Sequence, residues 1–352
     1  MNSNRFYLLD LLRFFFAFAV CVAHTKIAYS VPHDIAAYMS VDFFFILSGY
    51  VLTHQIKKTN IQYKAFIIAR IARIARIFPL YLLSLITIFA TLQINPFSEE
   101  FIWTTVSESF LLHQIGFTGS PGLNGVSWSL SAEFWLNILV LYFMASCTVK
   151  NKALYHAILF SLLLVSFIMM ERTGAAFNVA TFDTNIQPIS ILANIGLIRS
   201  FFGLTIGYLL YCATDSNFVR NIKGMKITSS LAEISLTAIV FICMFFNGST
   251  GFGFLSIIAF SILIIFNYNG DGTLSKLSGY PLIRELGNLS YAIYLLHIPT
   301  RLFLDKYVFP YYDTSNKWQL VVFVTVIISV PIYYAFEVPA KNLTRKTLSR
   351  IF

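Results

Sequence analysis

Arg13 and His24 stand eleven residues apart in the run RFYLLDLLRFFFAFAVCVAHT. On a helix, eleven steps of 100° return to within about 20° of the start, so both project from one face, about 16 Å apart along the axis. Imidazole is the side chain that exchanges a proton near neutral pH, so His24 is a candidate base. Asp10 lies three residues before Arg13, close enough on a helix to pair with it. Ala17 and Cys21 fall between the two ends of the stripe. The stripe is therefore charged at its ends and small in its middle, and it is expected to wall a narrow channel. The plainer reading makes Asp10–Arg13 a structural pair and His24 an interfacial residue.

Other segments also set polar groups in apolar surroundings. In VDFFFILSGYVL, Asp42 falls at a depth near that of His24, where a carboxylate would orient the imidazole and raise its basicity. The competing reading leaves Asp42 at an interface, bonded to backbone or water. Ser48–Gly49 in the same run would let a second backbone approach closely. In SWSLSAEFW, Ser129 and Glu133 are one helical turn apart. A cap at Ser127 or Ser129 and a first-turn acid suited to the macrodipole account for that spacing as well as chemistry does. In GNLSYAIYLLHIPTR, Ser290, Tyr294, His297 and Arg301 fall at i, i+4, i+7 and i+11, one polar stripe on an apolar helix that Pro299 should kink. In ARIARIARIFPLY, Arg70, Arg73 and Arg76 spread over about 120° of one face. Anchoring to anionic headgroups and binding a cofactor's phosphates both suit that pattern.

The elements that must position these groups follow from composition. Of 352 residues, 57% are hydrophobic and 12% charged, about half the charged share of a soluble domain. That excludes disorder, collagen, coiled coil and most soluble classes. A spanning helix takes about 20 apolar residues. Ten candidates fit: roughly 7–25, 38–55, 76–94, 129–147, 153–170, 190–212, 229–247, 252–268, 287–308 and 318–338. The stretch 101–117 is too short and polar to span and reads as a re-entrant or interfacial helix.

With the N-terminus inside and the ten spans alternating, 18 of the 25 Lys and Arg fall inside and 5 outside, while Arg13 and Arg199 lie within spans. That is the positive-inside bias. The net charge of +9 is then mostly topological, and no nucleic-acid partner is expected. The expectation is an all-α integral membrane protein of about ten transmembrane helices, a single domain over residues 1–352, with both termini cytoplasmic. The four cysteines (Cys21, Cys147, Cys212, Cys243) sit in apolar runs without metal-ligand spacing, so neither a disulfide framework nor a metal site is expected. Asp10 and Arg13 break the first apolar run and no cleavage site follows it, which speaks against a signal peptide.

On these elements the sequence resembles the acyltransferase family 3 membrane proteins, which O-acylate cell-surface glycans. Six blocks carry the resemblance, in order, along essentially the whole chain. They are the Arg-x10-His of Arg13 and His24, the DFFFILSGY of Asp42–Tyr50, and the Arg-x-x-Arg of Arg70 and Arg73, which Arg76 extends. They continue with the WSLxxE of Trp128–Glu133, the LSYxIYLxH of Leu289–His297 and the FExP of Phe336–Pro339.

The resemblance implies acyl transfer, with acetyl the commonest group, from a cytoplasmic acyl-coenzyme A to a hydroxyl on the outer side. Acetyl-CoA would be a co-substrate, not a resident cofactor. The acceptor would be a surface or lipid-linked glycan such as O-antigen or exopolysaccharide, and the enzyme would sit among the lipids of the bacterial inner membrane. Some relatives carry a hydrolase-like domain after the spans; this chain is expected to be the stand-alone form.

A thioester is already activated, so the reaction needs a positioned hydroxyl, a base and charge stabilisation. The implied catalytic residues are His24 as base, Arg13, Asp42 or Glu133 setting the imidazole, and His297. Arg70, Arg73 and Arg76 would hold coenzyme A phosphates, with Arg13 touching the donor deeper in. Asp10, Trp128, Ser129, His113 and Tyr294 are candidates for substrate contact. Direct transfer and a covalent acyl-His24 both remain open. A proton-coupled transporter and a non-catalytic glycan flippase or assembly protein are the rival classes, because intramembrane acids and histidines also build proton relays. The outer segment 95–128 has no Lys or Arg and carries Trp103, Phe110, His113, Phe117 and Trp128. Aromatic faces suit sugar rings, so this segment is expected to select the acceptor, with an aromatic membrane belt as the alternative.

Overall fold

The computed structural model describes residues 7–32, 35–115, 122–172, 195–214, 226–245, 252–266, 272–312 and 315–351. Every regular element among them is helical. The chain opens with α1 (Tyr7–Ala28), α2 (Tyr38–Thr59) and α3 (Tyr63–Leu92), then a short α4 (Ile102–Ser109) and a 3-10 turn at His113–Ile115. Helix α5 (Trp128–Leu136) passes through a π turn at Asn137–Leu141 into α6 (Tyr142–Ser146). Then come α7 (Lys152–Arg172), α8 (Ile195–Thr214), α9 (Lys226–Phe245), α10 (Phe252–Phe266), α11 (Thr273–Ser278) and α12 (Pro281–Tyr307). Helix α13 (Lys317–Ile332) runs through a second π turn at Tyr333–Glu337 into α14 (Val338–Ile351).

A helix lies at each of the ten expected spans. Among the described residues, six helices are long and apolar enough to cross a membrane: Tyr7–Ala28, Tyr63–Leu92, Trp128–Ser146, Lys152–Arg172, Ile195–Thr214 and Lys317–Thr344. Helices α9 and α10 offer shorter apolar stretches, Ser230–Phe245 and Leu255–Ile265. Helices α2 and α12 have the length, 22 and 27 residues, but carry many polar groups. Asp42 lies in the first, and Ser290, Tyr294 and His297 in the second; all four are buried within the bundle. The helix expected at 76–94 begins earlier, at Tyr63, because the Ala- and Arg-rich ARIARIARI run favours helix and joins it without a break. The arginines therefore occupy the first half of α3. The stretch 101–117 resolves into α4 and the 3-10 turn, and its last two residues lie outside the described residues. Helix α12 continues through Pro299 without interruption.

Small residues set the closest helix contacts. A Cβ on Gly287 would lie 2.8 Å from the carbonyl oxygen of Asp10, so α12 meets α1 backbone to backbone. A Cβ on Gly49 would fall 2.3 Å from the Leu204 carbonyl oxygen, and one on Gly207 would fall 2.2 Å from that of Ile46. The expected close approach at Ser48–Gly49 is therefore made by α8. Around these contacts Phe16, Phe43 and Phe260 pack edge to face or tilted, with centroids 4.7 to 5.4 Å apart, and fix α1, α2 and α10 in the core.

Candidate active site

His24, in the last turns of α1, meets His297 of α12. The His24 Nδ1 lies 3.1 Å from the His297 Nε2, with ring centroids 5.3 Å apart. His297 is 1% exposed, whereas His24 is only half-buried. The other His297 nitrogen, Nδ1, lies 3.3 Å from the Ile293 carbonyl oxygen one turn back. The Tyr294 ring stands beside His297, centroids 6.2 Å apart. Its hydroxyl donates to the Val126 carbonyl at 3.0 Å and pairs with Ser129 Oγ at 2.9 Å. Ser129 and Tyr294, expected to contact substrate, thus fasten the start of α5 to α12 beside the imidazoles.

Asp42 does not orient His24. Both of its carboxylate oxygens accept from the guanidinium of Arg199, from Nε at 2.7 Å and from Nη2 at 2.6 Å. The guanidinium also lies over the Tyr38 ring, 5.1 Å from its centroid. A planar fork of donors matches a carboxylate edge to edge, which explains why Arg199 claims both oxygens. A second imidazole occupies the orienting place expected for a carboxylate.

Glu133 likewise stands elsewhere. It accepts from Ser48 Oγ at 2.7 Å and lies 3.6 Å from Arg73 Nη2, so it belongs to the arginine end of the site. Neither Ser127 nor Ser129 caps α5 with its side chain. Arg13 pairs with Asp10 at 3.5 Å and also feels the charges of Arg73, Glu133 and Glu337. Arg76 is coupled to Arg73 and Glu337 in the same way. The Asp10–Arg13 pair was legible in spacing; the approach of Arg13 to the α3 arginines and the place of Glu337, on the second π turn, were not. Its only signal was the Phe336–Pro339 block.

Arg70 is 7% exposed, too deep for a headgroup anchor. Its Nη2 donates to Gln55 Oε1 at 3.4 Å and its guanidinium lies 5.3 Å from the Phe66 ring centroid. Among the described residues its Nε and Nη1 are buried without a hydrogen-bond partner, and so are the Tyr291 hydroxyl and Glu337 Oε2. Buried polar atoms rarely stay unmatched, so several in one neighbourhood mark a place for a polar ligand. Between the two poles of the α1 stripe, Ala17 and Cys21 are fully buried, and Cys21 packs against Ile293 and Val322. The small residues let helices close on α1; they do not line an open channel.

Residues 95–115 and 122–128 fold inward around Glu108, which is fully buried. Tyr81 donates its hydroxyl to Glu108 in a close contact, the Leu123 amide donates at 2.5 Å and Ser127 Oγ at 3.4 Å. His113, expected to meet substrate, is 2% exposed. Its Nε2 lies 3.2 Å from Ser127 Oγ and its Nδ1 3.6 Å from Glu108 Oε2. Trp128 is also buried, edge to face with Phe45 at 5.9 Å. His113 belongs to the core of this segment beside the buried Glu108, and Trp128, the first residue of α5, packs into the bundle. Trp103 and Phe110 remain open, 74% and 66% exposed, and Phe117 lies outside the described residues.

Comparison with known proteins bears on this geometry. The profile of a family described as "Acyltransferase domain" matches residues 6–337. The chain is 24% identical, over an alignment of 378 positions, to the Bacillus subtilis protein "Putative peptidoglycan O-acetyltransferase YrhL". The alignment takes in 97% of this chain but 56% of that relative, so the chain spans a little over half the relative's length. No solved structure matches.

Proposed function

Because the chain belongs to the acyltransferase family whose profile covers residues 6–337, we propose that it is a membrane O-acyltransferase moving an acyl group, acetyl foremost, from cytoplasmic acyl-coenzyme A to a hydroxyl of a glycan on the outer side. The observation that carries this reading is the polarity of α1. Its Arg13 end faces the arginines of α3, of which Arg70 is buried with unmatched donors, and its His24 end faces a second imidazole. An anionic donor suits the first pole and a hydroxyl acceptor the second.

In this reading Arg70, Arg73 and Arg76 grip the phosphates of coenzyme A, Glu133 holds Arg73 in place, and Arg13 reaches the donor further in. His24 takes the proton from the acceptor hydroxyl as its oxygen attacks the thioester carbonyl carbon. The new C–O bond forms, the C–S bond breaks, and the proton passes to the departing thiolate. Orientation follows from charge: ten crossings with both termini cytoplasmic keep 18 Lys and Arg inside. Helices α2 and α12 cross despite their polar groups because neighbouring helices shield them. The relative's name points to peptidoglycan as one acceptor class, beside O-antigen and exopolysaccharide.

The test uses the full chain in lipid vesicles with labelled acetyl-CoA on the arginine side and glycan acceptors on the other. A labelled ester on the glycan, absent without the protein, is the expected result. Movement of an unmodified solute or glycan with no ester formed would replace this reading with transport or flipping.

A further inference from the structure

His297 touches the candidate base but is itself almost fully buried, 1% exposed, so its work is done through His24. Three donor and acceptor facts fix how. The Ile293 carbonyl oxygen only accepts, and it has two lone pairs, so it can serve both the helix and a side chain. It lies 3.3 Å from His297 Nδ1, which must therefore carry the hydrogen. A neutral imidazole has one N–H, so His297 Nε2 holds a lone pair. That lone pair faces His24 Nδ1 at 3.1 Å, so His24 Nδ1 must be the donor. The proton-accepting lone pair of neutral His24 is then on Nε2.

We propose that His297 is a positioning residue that locks His24 in its Nδ1–H tautomer, with the Ile293 backbone carbonyl as the origin of the polarity. This rests on the reading of His24 as the base. The order runs Ile293 C=O, His297 Nδ1–H, His297 Nε2, His24 Nδ1–H, His24 Nε2. It places the reactive lone pair on the ring edge away from His297. A carboxylate in that place would bring a negative charge; His297 gives the same orientation as a neutral acceptor. Asp42, the expected orienting group, is committed to Arg199. The identity of the basic atom follows as well: proton transfer runs through Nε2, and an acyl group carried by His24 would also sit on Nε2.

The first experiment needs no substrate, so failure of the acyl-transfer reading leaves it standing. The whole chain, with its six histidines labelled in carbon and nitrogen, is placed in lipid bilayers at alkaline pH, where ordinary imidazoles are neutral. Magnetic-resonance shifts then report the tautomer of each ring. The signal lost in His24→Ala belongs to His24, and the one lost in His297→Gln to His297. Both are expected to show the Nδ1–H pattern in the wild type. His24 should keep it in His297→Gln, because the amide oxygen can accept the same bond. An Nε2–H pattern on either ring of the wild type overturns the proposal.

The second experiment measures turnover. His297→Leu removes the acceptor and should cost on the order of 10²-fold, the lower end of what a general base contributes. His297→Gln should recover at least about tenfold of that loss, with the Michaelis constant for acetyl-CoA unchanged. Equal loss in the two variants, or full activity in both, overturns it. Should the Leu variant fail to fold, the Gln variant and the tautomer spectra decide.

Discussion

Arg199 holds Asp42 by both carboxylate oxygens, at 2.7 and 2.6 Å, with each side chain about 95% enclosed by protein. The pair lies one turn from the contact where Gly203 of α8 meets Phe45 of α2. Charge pairing at one point and small-residue packing beside it lock two helices together. The acid therefore works on the architecture that carries the site, and its chemistry is spent on a guanidinium.

That assignment predicts a stability phenotype. Asp42→Ala removes the bidentate partner of the buried Arg199 guanidinium and should destabilise the protein by about 3–5 kcal/mol. Replacing both partners together, Asp42→Leu with Arg199→Leu, should restore most of the lost stability, because an apolar pair does not carry the desolvation cost. Thermal unfolding of the purified variants in detergent reads both effects. A single substitution as stable as the wild type would remove Asp42 from the frame and return it to the list of chemical groups.

His24→Ala should behave in the opposite way. Turnover should fall by roughly 10²–10⁴-fold, the usual contribution of a positioned base, while the thermal midpoint stays near that of the wild type. Acylation measured beside unfolding separates the two. Full activity in this variant would end the general-base role.

The arginine pole should speak through the donor. Arg73→Ala removes a charge-assisted contact worth about 1.5–3 kcal/mol, so the apparent Michaelis constant for acetyl-CoA should rise about tenfold or more. That for the acceptor should hold. Arg70→Ala should do the same, because its Nε and Nη1 have no partner within the described protein. If the Arg73 variant loses only membrane insertion, Arg73 is a headgroup anchor.

Between Gln93 and Trp128 the described aromatic and histidine residues divide by exposure. Trp103→Ser with Phe110→Ser should change acceptor preference, or weaken acceptor binding, while unfolding is unaffected, since both rings are exposed on the protein surface. His113→Ala should lower stability by about 1–3 kcal/mol, because Glu108 and Ser127 lose a buried partner. An unchanged acceptor profile in the double variant would leave the loop as a cover and move recognition down among the helices.

Much of this site was legible in the sequence because a helix converts spacing directly into direction. Arg13 and His24 share a face, Asp10 reaches Arg13, and the stripe through Tyr294 and His297 faces inward. What spacing cannot supply is the partner across the bundle. Asp42 and Arg199 are 157 residues apart, and His24 and His297 are 273 apart. One signal was available: an arginine alone in an apolar span needs a counter-charge, and few acids lie at membrane depth. His113 misled for the opposite reason. Its segment reads as an outer stretch open to the acceptor, and only the tertiary fold reveals that it closes, with Tyr81, Leu123 and Ser127, around the buried Glu108.

The wide turn at Asn137–Leu141 has a consequence for phase. Ahead of it, Glu133 must point at Arg73; behind it, Tyr142 and Ala145 must point into the packing around Phe66. In an uninterrupted α-helix the fixed step of about 100° per residue would tie those two directions to each other. A π turn slips one extra residue into the count and cuts the tie. The segment before it can be aimed by electrostatics and the segment after it by packing, within one continuous helical rod. Deleting a single residue from 137–141 would restore a regular α-helix and force the rod to choose between them.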